Sequence, residues 1–276
     1  MAGPTLTQNL DGNPWVEVFF NPADLDPACT SLRIYRFSEG RTWLVRGGVD
    51  IAPGVAAIDF EVPFGVPSSY RAEMFNSSGV SLGFTDISET TVNVEGTWVH
   101  QPLQPTLAIQ MTNLSGSAET LTRPTPGEVV YVEGAPVGRH IGSRRHGLQS
   151  VPVVLLAETL TAANAFQAML GTYEVQQIPV LCIRTSEDIR WPRTFFASTG
   201  ELFERELTVH AGGELVQFEG DFDEVAPPFP GLVKPLLTYD DIDAAFATYD
   251  AADAAFATYT ERDRAYEYAG LAEGGI

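Results

Sequence analysis

The chain has 276 residues, of which 44% are hydrophobic and 19% are charged, so it can bury a substantial core. Its 36 acids outnumber its 16 bases and leave a net charge of −20. This balance makes direct nucleic-acid binding an unfavourable function, because phosphate binding needs basic surface. No segment approaches the roughly 18 uninterrupted apolar residues of a membrane-spanning helix, so we expect no membrane span.

Residues 1–95 predict a β-sandwich. Short apolar runs, or apolar residues alternating with polar ones, are separated by turn sequences rich in Gly, Pro, Asn and Ser. The predicted strands cover residues 15–20, 31–37, 42–46, 57–62, 70–76 and 90–94. Many short strands at this spacing are typical of two packed antiparallel sheets.

Two stretches of this first domain resemble a known fold family. SLRIYRFSEGRTWLVRGG, at 31–48, resembles the C–C′ region of a fibronectin type III or immunoglobulin-like domain. PSSYRAEMFNSSGVS, at 67–81, resembles the F strand and the F–G turn, and places Tyr70 where these folds often carry a tyrosine at the edge of the core. Such domains support many functions, so this resemblance implies a fold and no activity.

Residues 96–235 predict a second β-rich module, an antiparallel barrel or sandwich with one packed helix. Strands are predicted at 129–134, 151–156, 178–185, 194–197, 202–210 and 214–219. The helix follows the second of these strands, with Thr161 as its cap, Phe166 and Met169 on its apolar face, and Gly171 at its end.

A basic loop, GRHIGSRRHG, interrupts this module and contains Arg139, Arg144 and Arg145. Three interpretations remain open. The loop can be an ordinary solvated hairpin, or a clamp in which arginines bind carboxylates of a neighbouring subunit. It can also hold zinc through His140 and His146, although adjacent cations oppose metal binding. We expect no metal site and no cofactor.

Residues 236–276 form an acidic tail that repeats itself: DAAFATYDAA at 243 is followed by DAAFATYTER at 253. From Glu219 to the last residue, 13 acids face three bases. Its alanine content predicts one helix, with an aromatic stripe that drifts about 80° per repeat. The stripe consists of Phe246, Tyr249, Phe256 and Tyr259. We expect a helical or extended segment that forms no core alone and docks on a partner.

The second module and the tail resemble the minor tail proteins of siphophages that infect actinobacteria. TWVHQPLQPTL, at 97–107, is similar to the W-[IL]-x-x-P-x-x-P opening of a tail-tip domain. The order of basic loop, strand, helix and further strands is also similar, and the repeated DAAFATY element resembles the T-[WY]-x-D-[LIV]-x-x-x-F repeats of such proteins. The resemblance covers about residues 96–276.

This resemblance implies a structural protein of the virion tail, at the tail tip or in the distal hub. Its expected partners are other phage tail proteins and further copies of itself in a homo-oligomeric ring. It would assemble in the cytoplasm of the bacterial host. No catalytic residues are carried over from this family, so we expect no enzyme.

Two other function classes stay open. Aromatic residues in loops, namely Trp191, Phe64 and Phe229, or the strand residue Trp43, could stack on sugars in an adhesion protein that recognises host-surface glycans. A cell-wall hydrolase is also compatible with the acidic composition, because glycosidase carboxylates have no fixed spacing. Against it, the sequence contains no G-x-S-x-G elbow and no phosphate-binding glycine motif.

Overall fold

A computed structural model describes residues 2–173, 175–207, 213–231, 237–269 and 271–272. The fold is mainly β, with 42% strand and 14% helix, as the sequence predicts. It divides into two compact units. Unit 1 comprises Met1–Val62, Val66–Val92 and Pro228–Ile276, and unit 2 comprises Pro63–Gly65 and Asn93–Pro227. The described part of the acidic tail therefore belongs to the same unit as the first strands.

The elements of unit 1 are strands β1 (Thr5–Asn9), β2 (Trp15–Phe19), β3 (Ser31–Ser38), β4 (Arg41–Ile51), β5 (Ala57–Asp59), β6 (Ser68–Phe75), β7 (Ser81–Phe84) and β8 (Ser88–Thr90), and helices α2 (Tyr239–Ala245), α3 (Tyr249–Ala255) and α4 (Tyr259–Arg262). Those of unit 2 are strands β9 (Thr97–Gln101), β10 (Gln104–Asn113), β11 (Gly127–Val130), β12 (Arg139–Gly142), β13 (Val151–Ala157), β14 (Val180–Thr185), β15 (Thr194–Glu206) and β16 (Val216–Glu224), and helix α1 (Leu160–Leu170).

Two antiparallel sheets form the β-sandwich of unit 1. One has the strand order β1-β2-β5, and the other has the order β4-β3-β6-β7, with β8 paired to β6. Every second residue of β3 and β6 is buried, because alternate side chains of a strand point to the same face. The predicted strands at 15–20, 31–37, 42–46, 57–62 and 70–76 correspond to β2–β6, whereas the predicted strand at 90–94 is wrong, since β8 ends at Thr90. Strands β1 and β7 were not predicted, since neither carries a clear apolar alternation.

A buried ion pair connects the two sheets. Arg36 of β3 donates to both carboxylate oxygens of Asp59 in β5, at 2.8 and 2.6 Å, and the Tyr70 hydroxyl of β6 donates to the same carboxylate at 2.9 Å. All three residues are fully buried. Burial alone lowers the pKa of the Arg36 guanidinium, but the adjacent Asp59 carboxylate, with Tyr70 and Glu61, raises it above its usual value. The pair therefore stays charged inside the sandwich.

Unit 2 is a closed antiparallel barrel with the strand order β10-β13-β16-β15-β14-β9. Its interior is filled by side chains, as in other small barrels. Phe166 of α1 belongs to this core and contacts Phe218 of β16, with 4.5 Å between the ring centroids. The barrel with one packed helix agrees with the sequence prediction, and its interior is a core and not a pore.

The boundaries of several elements differ from the prediction, and at two of them the physical reason is visible. Helix α1 is capped by Thr159, whose side chain accepts a hydrogen bond from the Ala162 backbone, so Thr161 is already inside the helix. Gly171 ends it at φ 98°, as predicted. Residues 194–206 form one strand and not two, because a β-bulge between Thr199 and Leu202 carries the pairing with β16 through the predicted break. The predicted strand end at 208–210 lies outside the described residues.

The tail is not one helix. Each ten-residue repeat begins with a threonine whose side chain caps a short helix: Thr238, Thr248 and Thr258. The first two helices end where Phe246 and Phe256 adopt extended backbone conformations. Within unit 1, the described part of the tail also buries a few apolar side chains. Its buried apolar residues are Ile242, Ala252 and Ala265.

The buried ion pair gives a stability prediction. Replacing Asp59 by Ala leaves the Arg36 guanidinium buried without a counter-charge, so the free energy of unfolding should fall by about 3–5 kcal/mol. The control Glu89→Ala removes an exposed carboxylate of β8 that accepts from Ser69, and should cost less than about 1 kcal/mol. Urea-induced unfolding of the full chain measures both values. Equal losses from the two substitutions would contradict this role for the pair.

Candidate functional site

The predicted basic loop belongs to a β-hairpin that extends from the barrel. Strands β11 and β12 pair only with each other, from Gly127↔Gly142 to Val130↔Arg139. Backbone hydrogen bonds continue the ladder towards the barrel, and an isolated bridge joins Thr122 to Gln149 at the base. We call residues 122–149 the arm. At about 3.3 Å per residue, the paired part reaches about 30 Å.

The arm exposes apolar side chains along its length. Every residue from 127 to 147 is exposed except Val130 and Gly138, which are half-buried. The large apolar residues among them are Val129, Tyr131, Val132, Val137 and Ile141, each more than half exposed. A two-stranded hairpin is marginally stable alone in water, and exposed apolar clusters of this kind mark interaction surfaces. The arm therefore presents exposed apolar side chains on a hairpin that has no further strand beside it.

The predicted cations lie on this arm. Arg139 is in β12, paired with Val130, and Arg144 and Arg145 follow the strand. All three are exposed. Residues 123–147 contain four arginines and two glutamates, a net charge of +2, so the rest of the chain carries −22. Among the described residues, His140 and His146 belong to no group of three potential metal ligands.

The tail places its two phenylalanines together. The rings of Phe246, Phe256 and Tyr268 form a triad in which each pair packs edge to face, with centroids 5.3 to 6.2 Å apart. Tyr249 and Tyr259 are not part of this cluster and are exposed. The four predicted residues therefore separate into an inner pair that holds the tail together and an outer pair that faces solvent.

The tail docks on the first sheet of its own unit. Arg264 forms a salt bridge with Glu17 of β2 and lies over the ring of Phe19, 4.4 Å from its centroid. Tyr266 packs edge to face against Trp15, at 5.6 Å. Burial, followed by the nearby Glu17 carboxylate, raises the pKa of Tyr266 to about 12. At this contact, the tail docks on the N-terminal domain of the same chain.

The first residues of the three short helices form a row of exposed tyrosines. Tyr239, Tyr249 and Tyr259 are 68 to 71% exposed. The Arg262 guanidinium lies over the rings of both Tyr239 and Tyr259, at 5.2 and 4.7 Å. Two open clefts of about 390 and 230 Å³ flank Arg262, one beside Tyr239 and Asp263 and the other beside Tyr259. Exposed aromatic rings next to charged groups are suited to polar ligands that also carry apolar faces.

The aromatic residues predicted to bind sugars lie elsewhere, and two of them are buried. Trp191 is 4% exposed and stacks on Phe195, with 5.5 Å between centroids, so it anchors the barrel core. Phe64 is fully buried and lies against Arg184. Phe229 is exposed, and Trp43 is half-buried with Arg36 and Arg41 near its ring. The first two residues cannot serve as glycan platforms.

Two features of these surfaces were missed from the sequence. The apolar residues of the arm were taken for an ordinary strand, although GEVVYVEG and GAPVG flank the basic residues on a segment without a buried face. The tail repeat has a third, diverged copy: Thr258, Tyr259, Asp263 and Tyr266 stand in register with the second copy. The ten-residue spacing of Thr-Tyr was the available signal, and it also marks the capping threonines.

In comparisons with known proteins, no family model, curated protein or solved structure matches this chain. Within the described residues, no helix combines the length and hydropathy needed to cross a bilayer.

The docking of the tail can be tested through Arg264. Replacing it by Ala leaves the buried Glu17 without its cation, so cleavage of the tail by chymotrypsin should accelerate roughly tenfold, as expected for a charged hydrogen bond of about 1.5 kcal/mol. The control Glu267→Ala removes an exposed charge three residues away and should leave the rate unchanged. Mass spectrometry of the fragments identifies the cleavage site. Equal rates for the two variants would show that this salt bridge does not hold the tail.

Proposed function

We propose that this protein is a structural component of a bacteriophage tail, at the tail tip or distal hub, and that it assembles through protein–protein contacts. The observation that carries the proposal is the arm. An ordered hairpin that exposes apolar and basic side chains over about twenty residues is stabilised by burial against another subunit. A catalytic function or the binding of a small molecule would not explain why these apolar side chains are exposed.

The folds of the two units support the resemblance to tail proteins. The sandwich separates strands β1, β2 and β5 from β4, β3, β6 and β7, a division of the kind found in immunoglobulin-like domains. The closed barrel with one packed helix agrees with the architecture expected of a hub domain. In this proposal, the barrel supplies the assembling body and the arm supplies a contact to a neighbour.

The proposal predicts that the chain is a fixed component of the virion. Purified tailed particles from the genome that encodes it should contain its peptides at a constant ratio to the other tail proteins, as measured by quantitative mass spectrometry. Antibody against the purified chain should label one end of the tail in negative stain. A sample of the same lysate depleted of particles serves as the control. Absence of the chain from purified virions would overturn the structural role.

The tyrosine row supports a second candidate, a glycan-binding adhesion protein. Aromatic rings stack on the apolar faces of sugars, while Arg262 and Asp263 beside them can bind hydroxyl groups. This function is compatible with a place at the tail tip, where a virion meets the cell surface. It moves the candidate sugar site from the loop aromatics to the tail.

Glycan binding can be measured by titration with polysaccharide from the host cell wall. The double variant Tyr239→Ala/Tyr259→Ala removes both rings around Arg262 and should weaken binding at least tenfold, since each stacking contact contributes about 1 kcal/mol. Tyr173→Ala, at an exposed tyrosine of unit 2, is the matched control and should bind normally. If wild-type protein shows no saturable binding, the adhesion candidate fails and the structural proposal is unaffected.

A further inference from the structure

The outer face of the barrel carries a ladder of carboxylates. On β16, Val216, Phe218, Gly220 and Phe222 are buried at alternate positions, so the positions that alternate with them point outwards. Three of these outward residues are exposed acids, Glu219, Asp221 and Asp223. Alternate residues of a strand lie about 6.8 Å apart, so the carboxylates form a regular row. We call this row, with the neighbouring β15, the acidic face.

An exposed apolar residue lies within this face. Phe203 of β15 is directly opposite Glu219 and is 60% exposed. Arg205 lies at the far end, opposite Gln217. Asp223 accepts a hydrogen bond from the Ser150 backbone beside the base of the arm, whereas Glu219 and Asp221 stand further along the strand. The centre of the face therefore combines two carboxylates with one phenyl ring.

This composition is the complement of the arm. The arm has a net charge of +2 and presents arginines between exposed valine, tyrosine and isoleucine side chains. The acidic face presents carboxylates around an exposed ring. Arginine binds carboxylates through two parallel hydrogen bonds, and apolar contacts between the charged groups would exclude water.

We propose that the arm of one copy of this chain docks on the acidic face of a second copy. The inference rests on the proposed assembly function and names its partner surface. A second copy is the occupant that the charges favour, because outside positions 123–147 the chain carries −22 and its acids on β16 occupy alternate exposed positions. Within a single copy, the arm stays exposed and does not cover its own acidic face.

The geometry of the contact sets its consequence. Arm and acidic face are different surfaces, so each copy offers one of each and the contact is heterologous. Repetition of such a contact gives a closed ring when the rotation between copies divides a full turn, and a filament when it does not. The proposed contact therefore supplies the homo-oligomeric ring implied by the resemblance to tail proteins.

The test compares charge reversals on the two surfaces by sedimentation at increasing protein concentration. Arg144→Glu/Arg145→Glu reverses the arm, and Glu219→Arg/Asp221→Arg reverses the acidic face. Each double variant should raise the dissociation constant for self-association at least tenfold. Reversal of the acidic face reduces the magnitude of the net charge from −20 to −16. The weaker overall repulsion between copies would by itself strengthen association, which is the opposite of the expected outcome.

Two further samples isolate the pairing. A chain that carries both reversals restores opposite charges across the contact and should associate again, and a mixture of the two double variants should associate where neither does alone. Asp250→Arg/Asp253→Arg adds the same charge in the tail and should leave association unchanged. Circular dichroism checks that each variant is folded.

The outcomes separate this inference from the proposed function. A wild-type chain that stays monomeric at all concentrations overturns docking between copies, whereas the chain can still be present in virions through other partners. Self-association that the reversals leave unchanged, or that the combined chain fails to recover, overturns the pairing of these two surfaces. Absence from virions overturns the phage role and leaves the measured self-association standing.

Discussion

Positive charge is scarce in this chain, with 16 bases against 36 acids, and its distribution constrains both units. A buried carboxylate that loses a paired arginine is strongly destabilising. In unit 1 the buried carboxylates with such partners are Asp59, Glu61 and Glu17, and their arginines are Arg36, Arg46 and Arg264. The sandwich, the segment after the barrel and the tail are all held through these pairs. For example, Arg46 also donates to the backbone carbonyl of Phe229 at 3.0 Å.

Other arginines are used against aromatic rings. Arg71 lies over Phe37 and Phe84 in the sandwich, and Arg262 lies between two tyrosines in the tail. An arginine that is paired with a carboxylate contributes little to the field outside the protein, whereas one stacked on a ring keeps its charge. The exposed arginines of the arm form a positively charged segment on a strongly negative protein. Such an arrangement favours an acidic partner and weakens with salt.

The sequence predicted the features that depend on local pattern. Strand alternation located most of the strands, and a helical spacing of Phe166 and Met169 located α1. It could not predict features that depend on distant partners. Nothing local indicates that Arg36 pairs with Asp59, 23 positions away, or that Arg264 reaches Glu17, 247 positions away. The prediction of one helix for the tail was wrong for a local reason. Its alanine content favours a continuous helix, but each capping threonine begins a new short helix, and the first two helices end at an extended phenylalanine.

The same distinction between local pattern and distant contacts explains which candidate surfaces could be predicted from the sequence. Arg139, Arg144 and Arg145 were identifiable from composition alone, whereas the acidic face becomes a surface only when β16 pairs with β15 and β13 and all inward positions are filled. Filling the barrel also restricts any assembly. Phe166, Phe218 and Phe222 occupy the interior, so no channel can run through a single barrel. If copies join arm to face in a ring, its central opening must lie between barrels, and the residues that border it are outward-facing ones. In such a ring, the row of acids on β16 would bind the arm of the next subunit. Any carboxylates that the arm leaves uncovered would make the adjoining surface of the ring negative.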